Sequence, residues 1–166
     1  MRTAPFVLLA TFVMSFAASA EDAGWRDEPD MAGHAYTARA EEPVTLGWTT
    51  EGGSLYGEDI LAVFRKDDRI GFSIERVKGS DAEGHAMVEI VAFFSYGPVA
   101  AGNYAQQECT SSAAPEGAIV QGISAEGELG PQTTDIPLIA AAAFDLESGA
   151  MTPLLPASVQ CPFMGD

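Results

Sequence analysis

Residues 86–96, AMVEIVAFFSY, carry the clearest two-residue alternation of the chain. At period two, Ala86, Val88, Ile90, Ala92, Phe94 and Tyr96 share one face, apolar except for the Tyr96 hydroxyl. Met87, Glu89, Val91, Phe93 and Ser95 form a mixed second face. β-Branched and aromatic residues dominate, and Gly84 and Gly97 bound the run, so the pattern predicts a strand rather than a helix. One face is expected in the core and the other only partly covered.

The flanking patterns build outward from this strand. Upstream, VTLGWTT at 44–50 alternates as a first strand, and the glycine-bearing stretch 51–59 reads as a loop. Residues 60–66 form a second strand, 66–69 a tight polar turn, and the third strand places Ile70, Phe72 and Ile74 opposite Ser73 and Glu75. A polar loop at 78–84 then leads into 86–96, giving a three-stranded antiparallel meander. Downstream, strands are expected at 103–109 and 117–124, with loops at 111–115 and 125–134. Segment 135–150 fits a helix capped by Asp135 and ended by Gly149, or a hairpin turning at 145–149. The hairpin is favoured, and its alanines would let other layers approach closely on both faces. Between these elements, Val99-Ala100-Ala101-Gly102-Asn103-Tyr104 resembles the tyrosine corner of Greek-key β-sandwiches, in which the phenol folds back onto an upstream backbone group. A plain turn with an exposed Tyr104 is the alternative.

The predicted architecture is an all-β, single-domain antiparallel β-sandwich with a Greek-key or Ig-like tendency and about seven to eight strands over 44–166. Residues 1–20 read as a cleaved signal peptide: Arg2, an apolar run at 6–18, and Ala18-Ser19-Ala20 before Glu21. That run is too short to span a bilayer. Residues 21–43 are acidic with little apolar periodicity and are expected to be a flexible, disordered arm, pinned to the domain by Trp25 and Tyr36. An exported chain makes a Cys109–Cys161 disulfide the default, closing a loop worth at most about 4 kcal/mol on the chain-entropy model.

Charge narrows the partners. Without Arg2 the chain has seven Lys and Arg against 24 Asp and Glu, a net charge of −17. Nucleic acid and anionic lipid are therefore disfavoured, and no stable membrane insertion is expected after signal cleavage. Arg65, Lys66, Arg69, Arg76 and Lys78 form the one basic cluster, a candidate surface for an acidic partner or for the acidic arm itself; simple charge balance on a hairpin is the alternative.

Candidate chemistry is sparse. Gly122-Ile123-Ser124-Ala125-Glu126 lacks the last glycine of a nucleophile elbow, and no phosphate-binding glycine loop or clustered Cys/His set occurs. No catalytic residue and no cofactor is assigned. His85 and Met87 share a strand face and suit copper, with Met31 and His34 as further ligands; a loop-end His and a gap-filling Met are the alternative. Calcium at Asp81 and Glu83, or at Glu126 and Glu128, has no stronger basis. The expected function is a non-enzymatic, exported binding or accessory module, periplasmic or secreted, for an unknown protein or small molecule. Copper binding and a carboxylate-dependent hydrolase are the alternatives.

Overall fold

The computed structural model describes residues 24–38, 43–125 and 135–162. The expected signal peptide and the candidate ligands Glu126 and Glu128 lie outside them. Eleven strands are formed: β1 (Trp25–Asp27), β2 (Ala35–Thr37), β3 (Pro43–Thr45), β4 (Trp48–Tyr56), β5 (Asp59–Lys66), β6 (Arg69–Ser80), β7 (Ala86–Tyr96), β8 (Ala105–Cys109), β9 (Ile119–Ser124), β10 (Leu138–Asp145) and β11 (Ala150–Leu154). Sheet A runs β1-β7-β6-β5-β4-β3, with β2 also on the free edge of β7; sheet B runs β11-β10-β9-β8. Neighbours are consecutive in the chain except where β1 and β2 meet β7, so any Greek-key character is confined to that one connection.

The all-β, two-sheet prediction holds, with three differences in detail. Residues 24–38 are not a loose arm: β1, a 3-10 turn at Pro29–Met31 and β2 zip end to end along β7. Tyr36 and the buried Trp25 do pin this segment, as their apolar rings demand. Second, the run 44–50 is broken by Leu46 and Gly47, both at positive φ, into β3 and β4. Third, the expected loop at 51–59 is mostly strand, because the backbone of β4 stays paired with β5 despite a bulge at Glu51. The sequence cue there was glycine content, and pairing overrode it.

Three cores follow from the pleat. Between the sheets, Leu61, Val63, Ile70, Phe72 and Ile74 pack against Ile123, Ala140, Ala142 and Phe144, with Trp25 closing the edge. Its ring lies 5.2 Å from Tyr96 and 5.8 Å from Phe72. The outer face of sheet B is covered by Ile136, Val159 and the Cys109–Cys161 disulfide over Ala141 and Ala143. The 138–145 run is thus a strand, and alanine on both faces does admit a layer on each side. Gly122 lies under this cladding, where a Cβ would come within 3.0 Å of Cys161 Sγ.

The third core lies on the other face of sheet A and exists because β7 changes face. Ile74 pairs with Ala92 and Glu75 with Ile90, so Val91 is an extra, bulged residue. Beyond it, Phe93 and Ser95 join Val88 and Ile90 as the buried positions, while Ala92, Phe94 and Tyr96 turn to the inter-sheet core. The single apolar face expected over 86–96 is therefore split in two. On the face so created, Trp48, Phe64 and Phe93 converge with Met31. Trp48 and Phe93 stand three strand spacings apart, about 14 Å in a flat sheet. Their rings nevertheless lie 4.9 Å apart, because both lean over the bare backbone of Gly71. Gly71 sits beneath: a Cβ there would lie 2.5 Å from Phe93 and 3.0 Å from Trp48.

The corner from sheet A to sheet B is held by asparagine, not tyrosine. Tyr104 is 48 % exposed, whereas Asn103 is buried. Asn103 Oδ1 accepts from the Ala100 amide at 2.7 Å and its Nδ2 donates to the Ser124 carbonyl at 2.6 Å. Its own carbonyl accepts from Arg65 at 2.9 Å. The short amide ties the turn at Ala100 to the end of β9 at Ser124. Asn103→Ala is expected to lower stability by about 2 kcal/mol, and Gly71→Ala by about 1–3 kcal/mol through overpacking. Urea denaturation midpoints of the two variants against the parent check both, and an unchanged midpoint refutes the corresponding assignment.

Candidate functional site

Aromatic rings fill one end of this outer face of sheet A. The other end is built from small residues, Gly52, Gly53, Ser54 and Ala62, and a pocket of about 230 Å³ remains there. Ile60, Ala62 and Leu55 supply apolar walls, Tyr36 and Ala38 approach from the N-terminal segment, and Glu75 lies in the wall. Leu55 is 65 % exposed and stands as an apolar rim. Gly53 must lack a side chain, because a Cβ would lie 3.0 Å from Ala62 Cα and 3.1 Å from the Leu61 carbonyl.

Glu75 is the unusual group. It alternates on β6 with Gly71 and Ser73, pairs with Ile60 and Ile90, and is only 1 % exposed. Its Oε1 accepts two hydrogen bonds, from the Tyr36 hydroxyl at 2.7 Å and from the Ser73 hydroxyl. Its Oε2 is buried with no partner among the described residues. Burial pushes the Glu75 carboxyl above the usual carboxylate range, against the two hydroxyls, which favour the ionised form. Burial, the Glu75 charge and their shared hydrogen bond together push Tyr36 well above the ordinary phenol range, so it stays neutral. Because both donors converge on Oε1, a proton on this carboxyl belongs on Oε2. That oxygen is a donor in the acid form and an acceptor in the ionised form. Ser54 donates its hydroxyl to Gln107 Oε1. Among the described lining residues, Glu75 is the single acid, so the paired carboxylates of glycoside hydrolysis are not assembled here.

The residues singled out from the sequence lie elsewhere. His85 is exposed on the turn before β7, with Nδ1 3.1 Å from Asp81 Oδ2, and Asp81 Oδ1 accepts the backbone amides of Glu83 and His85. Asp81, Glu83 and His85 can bring one ligand atom each within 4.8 Å of the others. Met87 is 41 % exposed at the start of β7, opposite Thr37. Met31 is sealed in the third core, so it does not join a ligand set with them. Cys109 and Cys161 are bonded to each other.

The five basic residues separate into two groups. Arg65, Lys66 and Arg69 gather at the β5–β6 turn, while Arg76 and Lys78 lie toward the far end of β6. Each is engaged within the chain: Arg65 with Glu51 at 2.8 Å, Lys66 with the Leu46 carbonyl at 2.7 Å, Arg69 with Glu28 at 2.8 Å, Arg76 with Asp59 at 3.2 Å and Lys78 with Glu89 at 2.6 Å. The Glu28–Arg69 pair, shared with Ser95, is one contact between the acidic N-terminal segment and this cluster.

Sequence reading missed Glu75 and Tyr36 as a pair. Glu75 was placed on the polar face of its strand, and only its company, an acid within IGFSIERV, hinted that this face was also enclosed. No family model, no curated protein and no solved structure matches the chain.

A carboxyl whose folded-state pKa is raised binds its proton more tightly in the folded state, so stability falls as pH rises from the unfolded value through the folded one. Glu75→Gln removes that dependence. Denaturation of both proteins at pH 5 and pH 8 should show the parent losing stability relative to the variant, on the order of 1 kcal/mol or more. A difference independent of pH refutes the buried-acid assignment.

Proposed function

We propose that the protein is an exported, non-enzymatic binding module that takes a small, mostly apolar ligand in the concave pocket of sheet A, with Glu75 as its polar anchor. The observation that carries this reading is an apolar pocket holding one buried carboxyl with an oxygen left unpartnered. Apolar walls with a few placed polar groups are the usual composition of small-molecule sites. Among the described lining residues there is no second carboxylate and no His, Cys or Lys, and the Ser73 hydroxyl is sealed against Glu75, which favours binding over turnover.

The compartment is read from the sequence and the disulfide together. The leader-like residues 1–20 and the Cys109–Cys161 bond fit an oxidising, periplasmic or extracellular location. No helix among the described residues is long and apolar enough to cross a membrane.

Indole, uncharged and apolar with a single N–H donor, is a suitable first probe. Saturable binding followed by protein chemical shifts should perturb Ala62 and Ile60, and Ala62→Leu, which fills the pocket, should weaken it by about fivefold or more. Absence of saturable binding, or an unchanged affinity in a folded Ala62→Leu variant, overturns the pocket as the binding site.

A further inference from the structure

We propose that the pocket selects apolar primary amines, held as alkylammonium ions whose charged end meets Glu75 Oε2 while the tail lies against Ile60, Ala62 and Leu55. This rests on the pocket reading above and adds the sign and shape of the ligand's polar end.

Charge sets the sign. Glu75 is an acid taken out of water, and its hydrogen-bonding partners, Tyr36 and Ser73, are neutral hydroxyls. No Lys or Arg is among the described residues lining the pocket. Among the described residues an ionised carboxylate in such a place has no countercharge, and an incoming cation supplies it where the low dielectric makes the attraction largest. The chain's net charge of −16 adds a long-range preference for cations and against carboxylates or phosphates.

Geometry sets the shape. Oε1 already accepts two hydroxyl hydrogens, so one oxygen is left for a ligand. A guanidinium needs both oxygens for its two-pronged fit, whereas an ammonium is a compact charge that one oxygen can receive. Calcium or magnesium needs six or more oxygen ligands, and this wall is apolar apart from a few side chains. A hydrocarbon chain suits the remaining wall. Presenting Oε2 to the void needs a small turn of the carboxyl about its terminal torsion, which is broad and soft.

Proton accounting gives the proposal a signature. Below the folded-state pKa of Glu75, binding of RNH3+ expels the carboxyl proton to solvent while the ligand keeps its own three. Affinity therefore rises with pH until Glu75 is ionised, and then levels off. The groups facing Glu75 are Tyr36 from β2, Ile60 and Ala62 from β5, Thr50 and Gly53 from β4, Ser73 from β6 itself and Ile90 from β7. Of these only Tyr36 titrates, and its raised pKa keeps it out of this range.

Hexylammonium, 1-hexanol and hexanoate share one tail and differ in charge, so calorimetric titration of the purified protein with the three isolates the polar end. The expected order at pH 8 is hexylammonium tightest by about tenfold, then hexanol, then hexanoate. Titrations over a series of pH values, each in two buffers of different protonation enthalpy, should show proton release on amine binding at the acid end that fades as pH rises. Glu75→Gln should bring the amine and alcohol within about twofold and abolish the release. If that variant does not fold, Tyr36→Phe serves: loss of a donor to Oε1 should move the pH midpoint of amine binding upward. Equal affinities for amine and alcohol, tighter binding of hexanoate, or amine binding with no proton release overturns the ammonium proposal while leaving an apolar pocket standing. Failure of all three to bind overturns both.

Discussion

The bulge at Val91 is the constraint from which much of the rest follows. A regular β7 would keep Val88 and Ile90 on the same side as Ala92, Phe94 and Tyr96 and leave a mixed second face on sheet A. With one extra residue against Glu75, the first half of the strand gives Val88 and Ile90 to the outer face, and the second half adds Phe93 to the same side. Ala92, Phe94 and Tyr96 still reach the inter-sheet core. One strand thus feeds two cores, and Trp48 and Phe93 meet over Gly71 on the outer one. The pocket opens on that same face, where Gly52, Gly53, Ser54 and Ala62 leave room.

Once both faces of sheet A are apolar, something must cover the second one. The N-terminal segment does this with Met31 and Tyr36, after Trp25 has closed the edge of the sandwich. Sheet B meets the same demand from the other terminus, where Val159 and Cys161 lie over the alanines of β10. In both cases a chain end that looks like a tail in the sequence is a layer of the fold. The disulfide fixes one of these layers covalently, while the other is held by rings, strand pairing and the Glu28–Arg69–Ser95 contact.

Most of the strands were legible because alternation and turn chemistry are local. The β5–β6 hairpin, β7, the β10–β11 hairpin and the Cys109–Cys161 pairing all follow from patterns within a few residues or from counting cysteines. What escaped depends on relations across the chain. The bulge left its mark in the alternation of β7 only as the apolar Val91 and Phe93 on the nominally mixed side. Asn103 looks like any turn asparagine until Ser124 is placed opposite it. Residues 24–38 lack periodicity because they serve as single anchors, Trp25, Met31 and Tyr36, spaced by turns. Glu75 was hidden for the same reason: its burial is made by Tyr36, 39 residues away. Of the basic residues, Arg65, Lys66 and Arg69 meet at the β5–β6 turn, while Arg76 and Lys78 lie further along β6.

The energetic position of Glu75 separates a packing role from a binding one. If the third core needed only filling, a leucine or methionine at 75 would bury without a desolvation penalty and would leave Ser73 and Tyr36 easily replaced. The observed arrangement instead commits two hydroxyls to one oxygen and leaves the other orphaned, and a buried polar atom without a partner costs about 1–3 kcal/mol. Those hydroxyls hold the carboxyl in one orientation and lower the cost of ionising it, yet they stop short of neutralising it. A group stabilised just enough to be oriented, and left short of a countercharge beside an apolar void, has the unmet demand that a cationic ligand would satisfy. Preorganisation of this kind lowers the ordering cost at the moment of binding, because the two hydroxyls already restrain the carboxyl.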